Sequence, residues 1–278
     1  MIQVWISAAA LCATTLLGSV LGFLIKELPH KWNDTVLGYC AGVMLAASTL
    51  GLIVPAFEQG GAGQWWIVAL GVMAGAAFLN VLDLLTPHLH HITGLDPERH
   101  VQGTSLSRVM LFVMAIALHK LPEGIAAGVS MAPDAGEAVS WGVTLGLSLQ
   151  NIPEGMVIIA PLLVAGVSVL RTFGIALGIG LLEVLGVWLG FGMGTVSATM
   201  LPVMLGFAGG AMLYVTSDEM IPETHAHGYQ KQATYALLLG FMTLLLLERI
   251  LSWVASHDPH CSSLIAQRLK GMNSVQVW

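Results

Sequence analysis

LHKLPEG at residues 118–124 and LQNIPEG at residues 149–155 are two versions of one phrase, 31 residues apart. Each ends in Pro-Glu-Gly inside a long apolar run, and each sets a polar side chain four residues before its glutamate. His119 precedes Glu123, and Gln150 precedes Glu154. Residues four apart share a helix face, so each pair stacks on one side of its helix. Between them sit Pro122 and Pro153, which have no N–H to give. The carbonyls of Leu118 and Leu149 thereby lose their helical partners, and a kink is expected at each site. A freed carbonyl at membrane depth is tolerable only where it lines protein or a watery cavity. The glycine that follows removes bulk. The phrase therefore reads as a small polar pocket opened in a helix otherwise fit for lipid.

The surrounding chain supports a membrane setting. Of its 278 residues 56% are hydrophobic and 9% charged, against about 25% charged in a soluble domain. Several apolar stretches exceed the roughly 18 residues needed to cross a bilayer. An ordinary soluble fold is excluded, and nothing points to nucleic acid. The net charge of −6 carries little weight, because the charges sit in short loops. Cys12, Cys40 and Cys261 are scattered, with no disulfide framework and no CxxC motif. The opening stretch lacks a basic n-region and reads as a first span rather than a cleaved signal.

Apolar segments at 3–25, 34–57, 64–87, 108–131, 138–165, 169–194, 199–221 and 232–254 predict an all-α protein with eight transmembrane helices in one domain, residues 1–278. The loop at 88–107 carries histidines, and residues 256–278 form a polar tail. Lys26, Lys31, Arg99, Arg108, Arg171 and Lys231 all fall in odd-numbered loops, whereas the even-numbered loops hold no Lys or Arg. Cytoplasmic loops collect Lys and Arg, so the odd loops are expected inside and both termini, with the tail, outside. Arg249, Arg268 and Lys270 run against this, but they follow the last span or close it. The abundant glycines, 32 in all, suit helices that approach closely in lipid.

Ionisable residues inside such a chain point to function, because each is costly in hydrocarbon. His119, Lys120, Glu123, Glu154, Glu183, Asp218 and Glu219 all lie within the apolar segments. Carboxylates gathered without a cation repel one another. With a divalent cation between them the same cluster becomes a binding site, and imidazole, carboxylate and amide oxygen suit zinc, iron(II), manganese or cobalt. A single His-x-x-x-Glu pair is more often a packing hydrogen bond, and a single membrane proline only a kink. The doubling on adjacent spans, with Glu183 on the next, outweighs those readings.

HKLPEGIAAGV followed by LQNIPEGMVI resembles the fourth and fifth helices of the ZIP (Zrt-, Irt-like) family of divalent-metal transporters, in its bacterial GufA-like branch. AGVMLAAS (41–48), LDLLTPHLHH (82–91), LLEVLG (181–186) and GGAMLYVTSDEMIPETH (209–225) resemble its second, third, sixth and seventh helices. The resemblance implies inverted three-helix repeats around helices 4 and 5, a homodimer in a bacterial inner membrane, and elevator-type transport of metal into the cytosol. It implies no cofactor; zinc, or else cadmium, iron, manganese or cobalt, would be the cargo. Its transport site would comprise His119, Glu123, Gln150 and Glu154, with Met44 reaching in from the second helix. Glu183 and Asn151 would border a second metal position. Asp83, Asp218, Glu219, His88, His90 and His91 would line the path. Lys120 departs from the family's asparagine, Asn151 from a frequent aspartate, and Asp218 from a frequent histidine. The expectation for Lys120 is that its amine occupies the second metal position, with Glu183 as its ion-pair partner. Two other function classes compete. An intramembrane zinc hydrolase needs more histidines than His119 alone and an open water position. A metal receptor would bind without moving its cargo.

Overall fold

The computed structural model describes residues 1–25, 29–60, 63, 65–85, 106–133, 137–196 and 200–257, and these are helical apart from short turns. Helix α1 covers Ile2–Ile25. Helix α2 starts as His30–Ala46, widens into a π-helical stretch at Ala47–Ile53 and finishes as Val54–Gly60. Then come α3 (Trp65–Leu85), α4 (Leu106–Ser130), α5 (Glu137–Val164) and α6 (Val169–Thr195). Helix α7 runs Leu201–Val215, passes through π-helical Thr216–Met220 and ends in Ile221–Thr224, and α8 covers Gln230–His257.

Six described helices are long and apolar enough to cross a membrane: Ile2–Ile25, Lys31–Gly60, Trp65–Leu82, Ser140–Val164, Val169–Thr195 and Gln230–Leu251. The count of eight spans expected from sequence is therefore met by six on length and composition. The other two helices are α4, which carries Lys120 and Glu123, and α7, which carries Asp218 and Glu219.

The polarity of these helices is turned inside out relative to a soluble bundle. On α6 the buried stripe is Thr172, Ala176, Gly180, Glu183, Gly186 and Gly190, while Leu177, Leu181, Leu185 and Leu189 lie exposed on the opposite face. Small residues inside let backbones touch, and large aliphatics outside meet lipid without penalty. The glycines of the doubled phrase belong to this logic. A methyl group on Gly124 would overlap the carbonyl oxygen of Glu183, and one on Gly155 that of Thr15. Each Pro-Glu-Gly thus lets its helix press against a neighbour, α4 against α6 and α5 against α1.

The most extensive helix contacts fall into two groups. Helices α1, α4, α5 and α6 form one, through the α4–α6, α1–α5 and α1–α6 pairs; α2, α3, α7 and α8 form the other, through α3–α7 and α2–α8. Helices α4 and α5 continue past Pro122 and Pro153. The two π-helical stretches each stand just before a proline, Pro55 and Pro222. There the N–H groups of Val54 and Ile221 reach back five residues, to Thr49 and Thr216. A proline ring clashes with the carbonyl four residues back, and a π-bulge is one way a helix makes room. These bulges were not foreseen from the sequence.

Candidate metal centre

Lys120 is the centre of the polar cluster. Only 1% of the residue is exposed. Its ammonium donates to Oε2 of Glu123 at 2.6 Å, Oδ1 of Asn151 at 2.6 Å and Oε2 of Glu154 at 2.5 Å. An ammonium has three donors, and all three are used. Glu123 comes from the same helix, three residues on, while Asn151 and Glu154 come from one face of α5. The doubled phrase places these groups: its two helices cross where its polar residues face each other.

Asn151 relays the cluster outward. Its carbonyl oxygen accepts from Lys120, and its amide nitrogen donates to Oε1 of Glu183 at 2.8 Å and to the Leu11 carbonyl at 3.3 Å. Glu183, fully buried on α6, also accepts from the Thr15 hydroxyl of α1 at 3.2 Å. The expected Lys120–Glu183 ion pair is thus corrected. Glu123 and Glu154 take the ammonium, because its donors are spent on them and on Asn151 before Glu183 is reached. Glu183 is held by neutral donors instead.

Gln150 donates to Oε1 of Glu123 at 3.2 Å, and the Cys40 thiol of α2 donates to the Gln150 backbone carbonyl at 3.8 Å. The side-chain carbonyl oxygen of Gln150 is buried without a donor. Met44, one turn beyond Cys40, is buried in the same core.

His119 does not join this group. Its Nε2 lies 2.8 Å from Oε1 of Glu219 on α7, and the two side chains are 16% and 30% exposed. Of the four residues expected to converge on one cation, Glu123 and Glu154 meet at Lys120 and Gln150 adjoins Glu123, while His119 is turned to the other helix group. Among the described residues no three His, Cys, Asp or Glu side chains are grouped to hold a metal ion. The arrangement explains why: an ammonium stands between the two glutamates. Asp218 is exposed on the π-helical stretch of α7 and takes no part in the cluster. Asp83 lies near the end of α3, with its side chain outside the described set. His88, His90 and His91 fall outside the described residues.

The sequence reading missed several contributors. Thr15 and the Leu11 carbonyl bring α1 into the site; the only signal was a hydroxyl pair in a run of small residues, CATTLLGS (12–19). Glu248 on α8 also went unremarked. Its Oε1 is buried without a partner, and its side chain lies against Gly142 of α5 and Gly51 of α2. Asp34 at the start of α2, fully buried, pairs with His227 at 3.0 Å.

Residues 96–248 match the family described as ZIP zinc transporter. The zinc transporter GufA of Myxococcus xanthus is 39% identical over 252 residues, spanning 86% of this chain and 98% of the relative. The zinc transporter ZIPB of Bordetella bronchiseptica is 36% identical over 253 residues, 88% of this chain and 80% of the relative. Human zinc transporter ZIP11 is 28% identical, across 84% of this chain and 93% of its own. Relatives so named are transporters, not enzymes. With its buried carboxylates and apolar helices, this integral membrane chain belongs to the ZIP zinc transporter family.

Proposed function

We propose that the protein carries divalent transition-metal cations, zinc foremost, across a bacterial inner membrane into the cytosol. The observation that carries the reading is the pair of buried glutamates from two helices, Glu123 and Glu154, that already share one cationic group at 2.6 and 2.5 Å. A metal ion placed there would draw on their carboxylates, on the Gln150 oxygen that lacks a donor, and on His119 once released from Glu219. Nitrogen and oxygen ligation of this kind suits zinc and discriminates weakly against manganese, iron, cobalt and cadmium. Met44 would reach in from α2, and Asp83, Asp218, Glu219 and the histidines at 88, 90 and 91 would line the route.

Eight spans, with α4 and α7 added to the six that meet the length and composition of a membrane helix, complete the architecture. The paired Pro-Glu-Gly phrases on α4 and α5, and the paired π-bulges before Pro55 and Pro222 on α2 and α7, support inverted repeats about α4 and α5. Substrate sites at the midplane of such repeats, beside interrupted helices, are common in transporters. The split into two helix groups supports an elevator motion: α1, α4, α5 and α6 carry the site and slide against α2, α3, α7 and α8. The Lys and Arg of the odd-numbered loops support termini on the outside, and the apolar outer faces would let two chains assemble as a dimer.

Zinc uptake into proteoliposomes tests the reading. Uptake should appear with the intact chain and fall at least tenfold in Glu123→Gln and in Glu154→Gln. A receptor or an enzyme would give none, and full activity in both variants would refute the site. Competition by cadmium, manganese, iron and cobalt then ranks the cargo.

A further inference from the structure

We propose that Lys120 is a tethered second cation of the transport site, which limits that site to one metal ion. The inference rests on the transport reading above and goes beyond it, because it sets the number of ions carried at a time. Three oxygens from two helices surround the Lys120 nitrogen at 2.5–2.6 Å, the way ligands surround a bound cation. Unlike a metal, this cation cannot leave. It is anchored to α4, it is 1% exposed, and its three donors are all engaged.

The geometry leaves no room for a second ion. Glu123, Glu154 and Glu183 are linked to one another through Lys120 and Asn151. The ammonium fills the space between Glu123, Asn151 and Glu154, so while Lys120 holds that place its three oxygens are closed to a metal ion. Asn151 fits the tethered cation as well. A carbonyl oxygen meets the ammonium and an amide nitrogen meets Glu183, so the side chain satisfies both neighbours without adding charge. One acceptor remains unsatisfied, the buried side-chain oxygen of Gln150, beside Glu123. That oxygen could serve a single incoming cation as a ligand.

A purely structural cross-link would also bury Lys120, so the decisive readout is the number of ions, not the rate of uptake. The full chain should be crystallised with cadmium, and ions counted by anomalous scattering at the Glu123–Glu154–Glu183 cluster, which keeps loop-bound metal out of the count. One ion is expected in the wild type and two in Lys120→Asn, which removes the charge and supplies an amide oxygen. Lys120→Gln offers the same exchange with a longer side chain. Two ions in the wild type overturn the proposal, and so does a single ion in either variant. Should neither variant fold, the wild-type count decides alone: one supports, two overturns. No ion at the cluster in wild type or variant, together with no uptake by proteoliposomes, would instead bring down the transport reading and this inference with it.

Discussion

Glu183 is held by an amide and a hydroxyl while the nearest ammonium serves two other carboxylates, and this has a consequence for stability. Among the described residues Asn151 links the ammonium to Glu183. Asn151→Leu keeps the volume nearly constant but removes three hydrogen bonds, those to Lys120, Glu183 and the Leu11 carbonyl. Lys120 then loses its third acceptor and Glu183 its shortest donor contact. A buried polar group stripped of its partner costs about 1–3 kcal/mol, and more when charged. The variant should lose on the order of 3 kcal/mol, read as a lowered Tm in detergent with chelator present, and an unchanged Tm would contradict the relay. Residue spacing alone could find His119, Glu123, Gln150 and Glu154, because stacking at four-residue intervals is a property of one helix. It could not find Thr15 or the turn of His119 towards Glu219. Those partners lie 168 and 100 residues away in the chain, and only packing brings them together. The Lys120 partner was misjudged for the same reason: the departure from asparagine was visible, but not which oxygens would come within reach of three N–H groups.

At the scale of the helix, the apolar runs were legible nearly to their ends, because a bilayer demands a length and a composition that few loops imitate. The segment expected at 169–194 is the helix Val169–Thr195, and that at 138–165 is Glu137–Val164. The π-bulges were not legible, although Pro55 and Pro222 stood in view. A proline states that a helix must adjust, but not whether it kinks, ends or widens. The glycines of the doubled phrase were read as relief of bulk within one helix, and their larger role is between helices. Gly124 touches the backbone of α6 at Glu183, Gly186 and Val187, and Gly155 touches α1 at Thr15 and Ser19. Backbone cannot step aside as the end of a side chain can. Gly124→Ala must therefore push α4 off α6, and overpacking of this kind costs about 1–3 kcal/mol. It would also move Glu183 away from Asn151. The expected outcome is a lower Tm together with weaker zinc affinity, whereas Gly174→Ala, where an added methyl meets open space, should change neither. Equal behaviour of the two alanines would show that the close approach is dispensable.

For the whole molecule the two helix groups carry different parts of the chemistry. Lys120, Glu123, Gln150, Asn151, Glu154 and Glu183 all belong to α4, α5 and α6, and Thr15 to α1. The second group packs against the first along α4–α7, α2–α5 and α5–α8, with Glu219 at His119, Cys40 at the Gln150 carbonyl, Gly51 against Val143 and Glu248 against Gly142 among the meeting points. An elevator must break such contacts as it moves, whereas a gate that opens by side-chain rotation need not. Paired cysteines tell the two apart. Gly51 of α2 and Val143 of α5 face each other across the boundary, near enough that a methyl on Gly51 would press on a Val143 methyl. Cysteines at both positions are within reach of a disulfide, which needs Cβ atoms about 3.5–4.5 Å apart. Ser7 of α1 and Thr144 of α5, whose hydroxyls lie 2.9 Å apart, supply a control pair inside the first group. In a background lacking Cys12, Cys40 and Cys261, oxidation of the Gly51→Cys/Val143→Cys pair should stop zinc uptake and reduction should restore it. Oxidation of Ser7→Cys/Thr144→Cys should leave uptake within a few-fold, because those helices travel together. Zinc affinity in detergent should survive both bridges, since neither touches a ligand, so a block of uptake alone isolates movement from binding. Uptake at the wild-type rate with the cross-group disulfide fully formed would mean that the groups stay fixed, and the cargo would have to pass through a static pore.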